Sequence, residues 1–339
     1  MTGRERILSA MRGEPTDALP LVPISMMIAA RAIGAPYRAY VRDARVHARG
    51  QLTFAETWDL DHVSAISDPT SEAEDLGARI VDYPDQPPAI DERTPLLADK
   101  GALARLAPVP PGARMEKRLE TLRLLREGVG DRRAVEGWIE GPCAEACDLR
   151  GLNAFLMDLL EDAGFCRDLM AFTFENAMAF ARLQRDAGAE VMGVGDAASS
   201  LIGPDLYREQ VWGWQKRFVE ALHEMGLKVR LHICGNAGPL LPMLREVPAD
   251  QIDLDSMVSL REARQVLGPG RLLAGNLDPV RVLQDGTPRD VEGALDACLE
   301  EAGGAGYAVN AGCEVTRDTP PENLAVLRRF ARSHRGPCA

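Results

Sequence analysis

Short apolar runs alternate with longer helical patterns along nearly the whole chain, and this alternation narrows the available folds more than any other feature. The runs read LPLVPI (19–24), HVSAI (62–66), RAVEGWI (133–139), EVMGVG (190–195), KVRLHI (228–233), QIDLD (251–255), RLLAGN (271–276) and GYAVNA (306–311). Between them apolar residues recur at helical spacing. Two segments are well marked: 152–187, with a break near Gly164, and 204–225, which opens on Pro204, a residue favoured in a first helical turn. Strands separated by helices form βαβ units with a parallel sheet. Eight such units predict a single α/β domain, a closed (β/α)8 TIM barrel. No GxGxxG follows the first run, which counts against an open dinucleotide-binding sheet. Residues 1–17 read as an N-terminal helix ahead of the barrel. Residues 67–115, rich in proline and with a hairpin predicted near GARIVDY, read as an insertion over one face, either part of a substrate pocket or a structural cover.

Length and charge agree with this. The 339 residues suit one barrel with additions. Against 39 Lys and Arg stand 51 Asp and Glu, a net charge of −12. That balance argues against a nucleic-acid backbone binder, which needs clustered cations, and against a polybasic membrane surface. No apolar stretch approaches the ~20 residues that span a bilayer, and MTGRERILSAMRGEP lacks a signal-peptide core. A cytoplasmic location is expected. There, the seven cysteines are thiols, metal ligands or catalysts rather than a disulfide framework.

The segment LHICGNAG (231–238) carries the strongest chemical signal. His232 and Cys234 are two apart on a predicted strand, so their side chains share a face. They lie where that strand runs out at its carboxyl end, where barrels build active sites. Imidazole and thiolate together suit zinc, although core packing explains most such pairs taken alone. Cys313 also falls at a carboxyl end, and QIDLD ends with Asp253 and Asp255 on one face. If the barrel closes, all of these point to one mouth. Three ligands with an exchangeable fourth position describe a catalytic zinc site better than a structural one. In the alternative, the aspartates cap a helix and Cys313 is a buried thiol.

These residues resemble the uroporphyrinogen decarboxylase superfamily, and within it the zinc-dependent methylcobamide:thiol methyltransferases. RERILSAMRGEPTDALPLVP, EAEDLGA (72–78), GPCAEACDLRG (141–151), GDAASSLIGPDLYRE (195–209), GNLDP (275–279) and AGCEVTRDTPPENL (311–324) read like family segments in family order. The resemblance implies His232, Cys234 and Cys313 as catalytic zinc ligands, with Asp255, or Asp253 in its place, as the fourth before substrate binds. It implies a methylcobalamin or other corrinoid co-substrate and a thiol acceptor. No DxHxxG-type corrinoid segment is present, so a separate corrinoid carrier protein is expected. Demethylation of a methylthio or methoxy compound, and tetrahydrofolate as acceptor, use the same site.

The chain also departs from true uroporphyrinogen decarboxylases. Their two-arginine motif after the first strand is reduced to Arg31 in VPISMMIAARAIG. Asp68 sits where those enzymes place an aspartate, and a decarboxylase using Asp68 is the alternative enzyme reading. A non-catalytic corrinoid or metal carrier is the alternative outside enzymes. Asp68, Asp196 and Asn276 are expected to bind substrate; for Asp68 and Asp196 the alternatives are a turn and a helix cap. Asp278 reads as a helix cap, and Asn236 and Gly238 as turn residues. Cys143 and Cys147 read as structural rather than as a second metal pair. Cys166, Cys298 and Cys338 read as core or tail thiols, and His47, His62, His223 and His334 as satisfied or exposed. Glu314 is expected to point away from Cys313.

Overall fold

The computed structural model describes residues 1–108, 110–304 and 306–336, which leaves Cys338 outside the described residues. Seven parallel strands follow one another around a curled sheet: β1 His62–Ser64, β4 Ala134–Glu140, β5 Val191–Gly195, β6 Lys228–Ile233, β7 Gln251–Leu254, β8 Leu272–Ala274 and β9 Tyr307–Ala308. β2 Ile80–Val81 and β3 Ala89–Ile90 form a separate antiparallel pair, the hairpin of GARIVDY.

The first apolar run completes the ring. Leu21 bridges Val309 in parallel, the Val309 amide donates to Pro20 O (2.8 Å), and the Asp61 amide donates to Leu21 O (3.2 Å). This eighth position is a bridge rather than a strand over 19–24. Pro20 and Pro23 lack the N–H that a longer ladder needs. The (β/α)8 reading therefore holds, with its seam at residues 20–22.

Helices differ in detail from their sequence pattern. The break expected near Gly164 falls at Asp162, which caps Ala163–Asp186 by accepting from the Phe165 amide (3.1 Å) and so ends Leu152–Glu161. The 204–225 segment is two helices, Pro204–Gln210 and Trp212–Glu224, parted at Val211. The N-terminal helix is Gly3–Ala10, opened by a Thr2–Glu5 capping box. It stoppers the amino end of the barrel, because Ile7 and Met11 pack against Val22, Ala134, Val191, Leu272, Ala274 and Ala308. The 67–115 stretch holds Ser71–Asp75, the hairpin and a short 3-10 helix, Lys100–Arg105. Its last residues already belong to the helix Ala113–Val129.

Above the apolar stopper the barrel interior turns polar. Arg230 is fully buried and donates to Asp253 (Nε, 2.8 Å), Glu136 (Nη1, 3.2 Å) and Val22 O (Nη2, 3.0 Å). Buried charges survive only when paired and hydrogen-bonded. Here one guanidinium satisfies two carboxylates and the seam carbonyl together.

Candidate metal centre

The alternation of β6 sends Arg230, His232 and Cys234 inward, one above the next. His232 lies in register with Asp253 on β7, and the imidazole Nδ1 is 3.3 Å from Asp253 Oδ2. Asp253 is held in turn by Arg230 and by Gln251 Nε2 (2.8 Å to Oδ1). This leaves Nε2 facing the mouth, 2.7 Å from Cys234 Sγ and 3.8 Å from Cys313 Sγ; the two sulfurs are 3.2 Å apart. All three donor atoms lie within 4.8 Å of one another. A carboxylate behind a histidine fixes its tautomer and raises its basicity toward a metal.

The protonation pattern follows from these contacts. Burial opposes the His232 imidazolium, but Asp253 and Cys313 outweigh it and push the group up to about 9. The hydrogen bond from Cys234, together with His232, holds the Cys313 thiol down at about 4 despite burial. Cys234, bonded to that thiolate and buried, is raised. One imidazole nitrogen and two cysteine sulfurs form a donor set that suits zinc, since soft thiolates and imidazole are its preferred ligands.

Five further residues singled out from the sequence have other partners in the structure. Asp255 does not join this set: its Oδ2 accepts from the Gly235 amide (2.9 Å) and its Oδ1 from the Met257 amide (3.0 Å), so it ties down the turn after Cys234. Asp253, the stand-in fourth ligand, backs His232 instead. Asp68 is wholly buried. It accepts from Ser67 Oγ (2.7 Å) and from Thr70 Oγ1 (2.8 Å), and pairs with Arg114. Burial raises its carboxyl, but Arg114 and Arg118 more than offset that and leave it lowered. Asp196 accepts from the Ala144 amide (2.9 Å) and Gln215 Nε2 (2.8 Å), which makes it a cap for the helix Pro142–Arg150 rather than a substrate contact; burial pushes it up to about 6. Asn276 donates to Asp255 O (3.1 Å) and Val258 O (2.6 Å), so it braces the Asp255 loop from behind.

The remaining residues read from sequence fall as follows. Asp278 caps its helix, accepting from the Val280 and Arg281 amides. Cys143, Cys147, Cys166 and Cys298 are buried free thiols. His62 and His47 are buried, and His223 pairs with Asp250 (2.8 Å). Glu314 turns from the sulfurs to accept from the Met27 amide (2.7 Å), and burial pushes it up to about 7.

Beside the donor set lies a cavity of about 430 Å³ lined by Cys234, Gly235, Pro69, Leu201 and three acids, Glu92, Glu140 and Asp148. Sequence reading missed Glu140, which lines this cavity, and Trp138, which packs between it and His232. Trp138 tilts toward His232, with ring centroids 6.2 Å apart, and its Nε1 donates to Glu140 Oε1 (3.1 Å). The signal was present as a pair of periods. Glu136, Trp138 and Glu140 alternate on β4, and on β5 Gly193 and Gly195 lie opposite Trp138 and Glu140. A Cβ on Gly193 would sit 2.1 Å from the Trp138 ring, and one on Gly195 would sit 3.1 Å from Glu140 Oε2. These glycines make the room that the tryptophan and the acid occupy.

Comparison with known proteins agrees with this architecture. The methylcobamide:CoM methyltransferase MtbA of Methanosarcina mazei is 28% identical over 98% of each chain. The uroporphyrinogen decarboxylase of Syntrophotalea carbinolica is 31% identical over 62% of each. A solved structure described as a methyltransferase from Methanosarcina mazei superposes with a TM-score of 0.84, at 23% identity and 98% coverage of both chains. The sequence profile of the uroporphyrinogen decarboxylase (URO-D) family matches residues 2–334. With a barrel of this topology and a match of that extent, the chain belongs to the uroporphyrinogen decarboxylase (URO-D) family.

Proposed function

We propose that this protein is a corrinoid-linked methyltransferase in which His232, Cys234 and Cys313 hold a zinc ion and a small thiol accepts the methyl group. The observation that carries the reading is the convergence of one imidazole nitrogen and two sulfurs within 4.8 Å at the barrel mouth, beside a substrate-sized cavity. The methylcobamide:CoM methyltransferase relatives support the reaction class. A zinc ion held by His232, Cys234 and Cys313 would supply a Lewis acid that lowers the acceptor thiol's pKa.

The chain's own residues do the rest. Asp253 holds His232 in one tautomer, and Asp255 and Asn276 hold the Cys234 turn, so the donors are set before substrate arrives. The 67–115 segment, through Pro69 and Glu92, forms part of the cavity wall. In the transfer the acceptor sulfur forms a bond to the methyl carbon while the methyl–cobalt bond breaks, and its electron pair stays on cobalt. The thiol proton leaves to solvent. A corrinoid carrier protein docks over the mouth, where Leu201 (61% exposed) and Met257 (66% exposed) present apolar side chains. Among the described residues no helix is long and apolar enough to cross a membrane. The Asp68–Arg114 pairing favours a structural role for Asp68 over the alternative decarboxylase reading.

The test measures zinc and methylcobalamin consumption together. Purified protein should hold one zinc per chain and bleach methylcobalamin only with a thiol present. Cys234→Ala, Cys313→Ala and His232→Ala should lose both properties. Full turnover in a zinc-free Cys313→Ala protein would overturn the reading.

A further inference from the structure

We infer that the cavity beside the metal centre recognises a positively charged group, so that the thiol taken here carries an ammonium rather than an acid; this rests on the methyl-transfer reading above. The first observation is the balance of charge in the wall. Glu92, Glu140 and Asp148 line the cavity, and no Lys, Arg or His is among the described residues lining it. A sulfonate or carboxylate entering this space meets no cation. Behind the wall, Glu72 and Glu145 add two more buried carboxyls. The one guanidinium close by, Arg118, is committed to Glu72 (3.2 Å), Trp138 O (2.9 Å) and Asp68 O (3.1 Å).

The second observation is an unmet hydrogen-bonding demand. Glu140 is only 6% exposed yet reaches the cavity. Trp138 donates to its Oε1, and its Oε2 has no donor among the described residues. Glu145, 3% exposed, has no donor to either oxygen. Buried carboxyl oxygens without donors are costly, and native proteins leave few of them. Burial, with Glu72, Asp148 and Glu145 as neighbours, pushes Glu140 well above the ordinary carboxyl range. Arg118 offsets only part of this charge and does not line the cavity, so a bound ammonium supplies a cation at the wall and a donor to Glu140 Oε2.

The third observation is reach. Glu140 is in register with Gly195, and Gly195 with His232. The acid and the metal-binding histidine therefore stand level on the ring, two strand spacings or about 10 Å apart. The residue between them is a glycine, and the Trp138 ring lies over it, 3.2 Å from where a Cβ would stand. A short aminothiol with its sulfur at the donor set directs its ammonium along this line.

Three thiols of equal length separate the outcomes: 2-aminoethanethiol, 2-mercaptoethanol and 2-mercaptoethanesulfonate. Their dissociation constants for the zinc-loaded protein, measured by calorimetry, need no turnover. The ammonium thiol should bind at least about tenfold tighter than the sulfonate, the worth of one desolvated ion pair. Intrinsic differences in thiol acidity cancel when the same ratio is taken in Glu140→Gln, and independently in Asp148→Asn, each checked for zinc content and melting temperature. The ratio should shrink severalfold in both. Equal or reversed preference in the wild type overturns the inference, as does a ratio unchanged in both variants or no binding of the ammonium thiol at millimolar concentration. A sulfonate preference would mean that the wall acts as protonated donors. Methylcobalamin bleaching, followed separately, tests the parent reading: charge-selective binding without methylation sinks that reading and leaves this inference standing.

Discussion

Replacing Asp253 by Asn tests whether the polar layer beneath the metal centre sets the pose of its histidine. The carboxylate pairs with Arg230 (2.7 Å) and meets His232 Nδ1 (3.3 Å), while burial alone would raise it; the net effect holds it at about 2 against an ordinary 3.8. At ~1.36 kcal/mol per pH unit, that difference is worth about 2.5 kcal/mol of preference for the charged form. Because the carboxyl is held below its unfolded value, the contribution is complete above pH ~4 and is lost as pH falls through about 2. At pH 7 it is therefore read whole. The asparagine keeps the shape but loses the charge, so unfolding free energy should fall by roughly 2–4 kcal/mol, since Arg230 keeps one carboxylate, Glu136, where it had two. Zinc affinity should drop ~10–100-fold, because the imidazole loses its carboxylate partner. Chelator competition reads the affinity and denaturant titration the stability. Asp255→Asn is the matched control: it loosens a turn without touching the histidine, so zinc affinity should fall by less than about fivefold. Zinc binding in Asp253→Asn within about threefold of wild type, or a larger loss in Asp255→Asn, would refute the assignment.

Other consequences are checked more simply. Gly193→Ala drives a methyl group into the Trp138 ring. It should cost ~1–3 kcal/mol in denaturant titration and shift tryptophan emission, and an unchanged protein would mean that the ring has room to move. Asp68→Asn breaks a buried pair and should destabilise by roughly 3–5 kcal/mol. Methyl transfer per folded molecule should persist, and its loss in a stable protein would return Asp68 to the active site. Leu201→Asp should weaken turnover with a methylated corrinoid protein more than turnover with free methylcobalamin; equal effects would move the docking surface elsewhere.

Much of the barrel was legible because its strands are buried on both faces and so read as continuous apolar runs. The donor set was legible too, since His232 and Cys234 obey the period of β6 and Cys313 ends the ring. Reading failed where residue type is ambiguous. An aspartate after a strand suits a ligand, a turn or a cap, and only the amides of Gly235 and Ala144 reveal that Asp255 ties a turn and Asp196 caps a helix. Asp68 looked like a pocket residue because Arg114, its partner, lies 46 positions away. Glu140 was overlooked because it ends an apolar run, and its environment depends on glycines of the next strand.

The Arg230 hydrogen bond to Val22 O has one more consequence. The same guanidinium grips the seam that closes the ring and, through Asp253, steers His232 of the candidate metal centre. Ring closure and ligand alignment thus form one cooperative unit. By linkage, whatever metal binding contributes is withheld until the first segment of the chain has docked against the last strand. Metal uptake during refolding therefore reports closure of the ring, and a barrel left open at residues 20–22 should take up zinc weakly even with every ligand intact.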